Sequence, residues 1–402
     1  MRLIAEGALD DGDVEQLAER LGVTSRHLRR LFTKHLGASP LAIAHTQRLH
    51  FAKRLIDQTS MPMQDVATAA GYGSVRRFND TFRKVYGRAP RELRGVRTSQ
   101  SNGDAGGLTV RLKYRQPFDW RYLLDFFAAR AIPGVEAVCD GAYLRTITLG
   151  EGAGTIMLRD DPRNSDLKLT LYGASTASIF PIVQRVRSIF DLDAPVADIA
   201  EVLAADKSLA TLLRANPGVR VPGAWDGFEL TVRAILGQQV SVKAATTLAG
   251  RIVERYGVDA GVDTGLPEGA PRYLFPGPER LMRARFNDMG LVGSRARTIR
   301  EVARAVVRGG ISFDGSQSVA EFCEVLKAIR GIGEWTAQYV AMRALKNPDA
   351  FPASDLGLLR AFDAPGRIRM RPAELKLRAE HWRPWRAYAA LLLWSQTPDT
   401  GG

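Results

Sequence analysis

The sequence predicts a multidomain, mostly helical chain: an all-α module with two helix-turn-helix units, then a small α+β domain, then an all-α core built around a helix-hairpin-helix. Three observations predict it. A basic helix-turn-helix pattern occurs twice within residues 1–97, β-rich segments are confined to about 108–190, and nearly everything after Ala194 reads at helical spacing, with the turn IRGIGEW at 329–335 between two helical runs.

The whole chain sets limits first. Its 402 residues leave room for two or three domains with full cores, and its composition is that of a globular protein. Lys and Arg number 56 against 43 Asp and Glu, a net charge of +13 that favours a polyanionic partner such as double-stranded DNA. The two cysteines, Cys139 and Cys323, stand far apart with no Cys/His cluster around either. No disulfide framework, zinc site, iron–sulfur cluster or cofactor is therefore expected. No apolar run reaches the length of a membrane span, so the expectation is a cytoplasmic protein with no membrane partner.

Residues 14–32, VEQLAERLGVTSRHLRRLF, read as a short helix, a glycine-bearing turn, a Ser/Thr cap and a basic helix. The plan recurs about 49 residues later in MQDVATAAGYGSVRRFNDTF, at 63–82. In each unit the apolar residues (Leu28, Leu31 and Phe32; Phe78 and Phe82) share one helix face. Arg26, Arg29 and Arg30, or Arg76, Arg77 and Asn79, are left to point outward, where they suit base edges and phosphates. Residues 1–97 carry 17 Lys/Arg and 10 Asp/Glu, a net of +7, so about a quarter of the chain holds over half of its net charge. The two units, the connecting segment 41–57 and the ending GRAPRELR resemble the AraC-type DNA-binding domain. That resemblance implies two recognition helices entering successive major grooves, with RNA polymerase as a further partner. In Ada-type regulators such a module follows a zinc-bound methyl-accepting domain; this chain begins without one, so methyl sensing is not expected of it.

Residues 98–107, TSQSNGDAGG, have the composition of a flexible linker. From 108 to 193 the pattern turns β-rich: 143–149, 155–159 and 166–172 alternate apolar with polar residues, with helices expected at about 119–131 and 176–190. The last domain, 194–402, is expected to be helical over 228–256, 295–308, 319–330, 334–345 and 385–395.

Within that domain Gly331 and Gly333 flank Ile332 just before a helix begins. Two glycines permit a sharp turn with bare N–H groups, so Gly331, Ile332, Gly333 and the helix start at Thr336 are candidates to hold a DNA phosphate. Downstream, Asp355 stands at the start of a helix, either as a simple N-cap or as a working carboxylate.

The hairpin with Asp355 some twenty residues beyond it resembles the helix-hairpin-helix, Gly-Pro-Asp superfamily of DNA glycosylases. Within it the AlkA-type 3-methyladenine glycosylases are the closer likeness, on QPFDWRYLLDFFAARA, VPGAWDGFELTVRAILGQQVSVKAA and HWRPWRAYAALLLW. The resemblance implies a base flipped from the duplex into an aromatic pocket of Trp335, Tyr339, Trp394 and Phe126, with Asp355 as catalytic carboxylate. Bifunctional relatives use a lysine where Trp335 stands, so the implied enzyme is monofunctional. It also implies a wedge residue at Gln239, where the AlkA member has leucine, and a monovalent cation on hairpin carbonyls near Ile329 and Ile332. Ser354 and Leu356 depart from the family's more polar or aromatic pair beside the aspartate. A second reading stays open: an AraC-type regulator whose glycosylase-like region only senses damaged DNA.

Overall fold

The computed structural model describes residues 2–5, 8–9, 13–94, 107–149, 152–173, 175, 179–262, 265–362 and 370–396. The linker expected at 98–107 lies outside them except for Gly107. The first module consists of α1 (Arg2–Ala5), α2 (Val14–Arg20), α3 (Ser25–Leu36), α4 (Pro40–Gln58), α5 (Met63–Ala69), α6 (Val75–Tyr86) and α7 (Pro90–Leu93). Helices α2–α3 and α5–α6 are the two helix-turn-helix units, joined by the long α4. Their likeness extends to the helix ends: Thr24 caps α3 and Ser74 caps α6 by accepting a backbone N–H three residues on, and Gly37 and Gly87 close both helices in the left-handed conformation. On α6 the Phe78 and Phe82 rings are fully buried, as their spacing predicts.

The second domain is a five-stranded antiparallel sheet of β1 (Leu108–Lys113), β2 (Glu136–Cys139), β3 (Ala142–Leu149), β4 (Gly152–Asp161) and β5 (Asp166–Tyr172), in the order β1-β5-β4-β3-β2. Helices α8 (Trp120–Arg130) and α9 (Ile179–Ile189) accompany it. The three expected strands are present. The two that periodicity did not single out, β1 and β2, form the two edges. The outer edge of β1 meets the first module, where Gln58 of α4 accepts the Arg111 backbone N–H at 3.0 Å. Nearby, Phe51 of α4 packs on Phe180 of α9 with ring centroids 5.0 Å apart, so the basic module and the sheet domain share one apolar core.

The third domain is helical: α10 (Val196–Leu203), α11 (Lys207–Ala215), α12 (Gly227–Leu236), α13 (Val242–Tyr256), α14 (Pro278–Leu281), α15 (Gly293–Val307), α16 (Val319–Lys327), α17 (Glu334–Arg343), α18 (Leu356–Arg360), α19 (Pro372–Ala379) and α20 (Arg386–Trp394), with one short strand pair, β6 (Val258–Asp259) and β7 (Tyr273–Leu274). The helical run expected over 228–256 is broken by a turn between α12 and α13, in which Gln239 takes a φ of 54°. Helix α12 is buried along most of its length and packs against α15 and α17 at the centre of this domain.

The sheet and helical domains are joined by a buried lattice of charges. Arg145 of β3 lies between Glu136 of β2 and Glu229 of α12, and Arg233 of α12 donates to both carboxylates, at 2.8 Å to Glu136 and 3.2 Å to Glu229. Tyr143 adds a hydrogen bond to Glu136 at 2.7 Å. Burial raises the Glu136 carboxyl, but Arg233 and Arg145 outweigh it and bring its pKa down to about 2.

Candidate active site

Asp355 is the residue around which the site is built. It is the N-cap of α18, and its Oδ1 accepts the Leu358 N–H at 3.0 Å, so the structural role suggested by its position is real. The carboxylate is also only 6% exposed and accepts two further donors: the Trp335 indole Nε1–H at 2.7 Å on Oδ2 and the Trp394 Nε1–H at 2.8 Å on Oδ1. Three donors on one buried carboxylate fix its orientation. A small residue at 357 makes this possible, since a Cβ there would lie 3.0 Å from Asp355 Oδ1 and 3.2 Å from the Trp394 ring.

Asp355 and the four expected aromatic residues, Phe126, Trp335, Tyr339 and Trp394, line a single cavity of about 360 Å³. Trp335 and Tyr339, one helical turn apart on α17, stack nearly parallel, with centroids 5.1 Å apart and 10° between planes; Trp394 approaches Tyr339 edge-on. The cavity has a size and apolar walls suited to a flat ligand such as a nucleobase.

Sequence reasoning missed the arginines of this cavity. Arg130, Arg233 and Arg343 all line it. The Arg130 and Arg343 guanidiniums lie 4.0 Å and 4.8 Å from the centre of the Phe126 ring. Each stands four residues after a pocket ring (Phe126 and Arg130; Tyr339 and Arg343), a helical spacing that was available as a signal.

The hairpin between α16 and α17 has the expected shape but a different division of labour. Gly331 needs its freedom: its φ is 95°, and a Cβ there would collide with Thr298 Oγ1 at 2.3 Å. Gly333 has an ordinary φ of −99° with nothing within 4 Å of a Cβ, so it leaves open space at the N-cap of α17 for a ligand to approach the helix end. Ile332 is corrected as a phosphate donor, because its N–H is bonded to the Ile329 carbonyl at 3.0 Å and its side chain is buried. The same bond engages one of the carbonyls named for a cation. Thr336 stands in the first turn of α17 as expected; its side chain is 2% exposed, and its Oγ1 accepts from Gln238 Nε2 at 3.0 Å.

Gln238 was not singled out, yet it ties two parts of the site together. Its side-chain amide donates to the Gly331 carbonyl at 2.9 Å as well as to Thr336, and its backbone carbonyl accepts from Arg295. The turn that carries the exposed Gln239 is thereby anchored to the hairpin. In the first module Arg26, Arg29, Arg30, Arg76 and Arg77 are exposed as expected, although Arg29 pairs with Glu15 at 2.9 Å and Arg30 with His27 at 3.1 Å. Asn79 is half-buried and does not point freely outward.

Comparison with known proteins agrees with this arrangement. Residues 17–95 match a helix-turn-helix domain, 109–226 the AlkA N-terminal domain, and 232–387 the HhH-GPD superfamily base excision DNA repair protein. The chain is 39% identical over 398 residues to a probable bifunctional transcriptional activator/DNA repair enzyme AlkA of Mycobacterium tuberculosis, covering 98% of this chain and 79% of that protein. It is 33% identical over 287 residues to DNA-3-methyladenine glycosylase 2 of Escherichia coli, covering 70% of this chain and 95% of that one. The fold is shared with a 3-methyladenine DNA glycosylase from Archaeoglobus fulgidus, with a TM-score of 0.60, 23% identity, and coverage of 71% of this chain and 96% of the other. An aromatic cavity closed by a clamped aspartate, a glycine hairpin and matches over nearly the whole chain lead to one conclusion: the chain belongs to the AlkA family of helix-hairpin-helix DNA-3-methyladenine glycosylases, here joined to an AraC-type helix-turn-helix module.

Proposed function

We propose that this protein removes 3-methyl and 7-methyl purines from duplex DNA by hydrolysing the N-glycosidic bond, without cutting the strand. The observation that carries this reading is the Asp355 carboxylate held by Trp335 and Trp394 at the wall of the aromatic cavity. As the C1′–N bond stretches, positive charge develops on the sugar, and a carboxylate already oriented by fixed donors stabilises that charge without reorganising. The flipped base stacks among Trp335, Tyr339 and Phe126, while the exposed Gln239 fills the gap that it leaves in the duplex. Gly333 and the N-terminus of α17 take a phosphate beside the lesion.

Trp335 has no amine with which to attack C1′, so the product is an abasic site. The test is release of free 3-methyladenine and 7-methylguanine from methylated duplex by the purified protein, with borohydride present in a parallel reaction. Release without a trapped protein–DNA adduct is expected; a trapped adduct would overturn the monofunctional assignment.

The module of two helix-turn-helix units supports a second, compatible role, because five of its recognition-helix arginines are exposed. In this role the protein works in the cytoplasm as an activator at a specific operator, in contact with RNA polymerase. Footprinting on the promoters of alkylation-response genes tests it, and uniform binding to all sequences would remove it.

A further inference from the structure

The helical domain has two ends, and the two DNA surfaces of the chain lie at different ones. At one end the turn after α12 meets the hairpin, where Gln238 donates to the Gly331 carbonyl at 2.9 Å and to Thr336 at 3.0 Å. The end of α16, the start of α17 and the exposed Gln239 therefore share the face assigned above to the lesion. At the other end the same helices meet through their opposite termini. Arg343, the last residue of α17, donates to the Pro222 and Gly223 carbonyls at 2.9 Å and 3.0 Å, just before α12 begins. Phe313, in the segment that leads into α16, lies so close to Gly227 at the start of α12 that a Cβ there would collide with its ring. Helices α12 and α17 have ten residues each, so about 15 Å of helix separates the two ends.

The basic module is attached at the second end. Arg20 of α2 donates to Asp314 at 2.8 Å, and Asp314 lines one cleft with Asp226, Gly227 and Lys346, all at that end. The recognition side of the module is turned away from this attachment. Glu15 of α2 pairs with Arg29 of α3 at 2.9 Å, and it stands about 140° round the helix from Arg20. In the second unit, His45 of α4 borders the groove of Ser74, Arg76 and Arg77. Phe51 and Gln58, which hold α4 on the sheet domain, lie about 120° and about 140° round α4 from His45. Two helices thus independently place the exposed arginines on the side away from the rest of the chain.

Building on the readings of both DNA surfaces, we propose that one chain holds two double helices at once: a damaged segment at the cavity, and a second, undamaged segment on α3 and α6. A single duplex that reached both surfaces would have to turn back round the body of the protein. DNA resists this, with a persistence length of about 150 base pairs. Residues 1–97 carry +7 of the net charge of +13, so the second segment is attracted through its phosphates whatever its sequence. A chain anchored on one segment meets lesions in neighbouring segments at a raised local concentration, and excision at the cavity leaves the anchor in place.

In the test, a duplex of about 25 base pairs with a tetrahydrofuran abasic-site analogue is fixed sparsely on a surface and the whole chain is loaded on it. A dye-labelled undamaged duplex of the same length is then added at about 50 mM salt. About one labelled duplex should be retained per bound protein, with no loss of protein from the surface. A triple variant, Arg26→Ala with Arg76→Ala and Arg77→Ala, should retain at least about tenfold less per bound protein. Full retention by the variant would overturn the proposal, because two copies joined to each other also hold two duplexes through their lesion faces. Displacement of the protein by the second duplex, or no retention by the loaded parent, would overturn it too. The readings beneath it fail by different signs. A parent that does not bind the abasic duplex contradicts the glycosylase reading, and a triple variant that binds undamaged duplex in solution as well as the parent does removes the DNA role of the module.

Discussion

In the base cavity the polar groups are buried and bound to one another, whereas on α3 and α6 the arginines stand in solvent. Asp355 is held by two indoles and a backbone N–H, and Tyr339 by a guanidinium that is itself fixed on two carbonyls. By contrast, Arg26, Arg76 and Arg77 are exposed on helices whose opposite faces are packed. The contrast follows from what each region must hold. A reacting bond gains most from charges that are already oriented and shielded from water. A phosphate backbone is followed by long, hydrated side chains, and such contacts work through the number of charges and the release of counterions.

The largest effect should come from the lattice behind the cavity. Replacing Arg145 by Met leaves Glu136 and Glu229 buried with one fewer cation, at a cost of about 3–5 kcal/mol in unfolding free energy, measured by urea titration at pH 7. The parent should show the matching pH dependence. The Glu136 pKa is depressed in the folded state, so its contribution is present above the unfolded value of about 4.3 and lost as the pH falls toward about 2. Loss of stability with rising pH in the acid range would contradict this assignment.

Next in size is Trp394→Phe, which keeps an aromatic wall and deletes one donor to Asp355. A hydrogen bond to a charged group contributes about 1.5–3 kcal/mol, so excision of 7-methylguanine should slow by roughly ten- to hundred-fold. An unchanged rate would mean that the indole merely packs. On the exposed side, Arg76→Ala combined with Arg77→Ala should weaken duplex binding by about tenfold or less, and should lower the slope of log affinity against log salt by about two. If the double variant slowed base release as much as Trp394→Phe does, the two regions would not be as separable as their construction suggests.

The same contrast explains what could be read from the sequence. The duplicated units were legible because each depends on neighbours in the chain: a cap, a glycine and a helix face. Asp355, Trp335, Tyr339, Trp394 and Phe126 were legible through motifs, and they do meet in one cavity. Gln238 was not, because its partners Gly331 and Thr336 lie 93 and 98 residues away and nothing local marks a glutamine as a tie. Ile332 was misjudged for a related reason. It lies in an exposed turn, yet its N–H is taken by the Ile329 carbonyl and its side chain folds inward. The edge strand β2 was passed over because a four-residue segment gives too little alternation to stand out from a turn, whereas LTVRLK of β1 alternates throughout and was an available signal that went unread. Asp355 caps α18 as one of the two readings had it, and the same carboxylate also gathers the two indoles; its catalytic role is the proposal that the last measurement tests.

Asp355→Asn gives the most direct test of the central claim. Single-turnover excision of 7-methylguanine from a duplex should be followed beside binding of the same variant to an abasic-site duplex. With the charge removed and the shape kept, the account predicts a loss of about 3 kcal/mol or more in transition-state stabilisation, a rate lower by over about a hundredfold, while binding persists. An Asn variant that releases the base at the parental rate would contradict it, and would leave Asp355 as a helix cap alone.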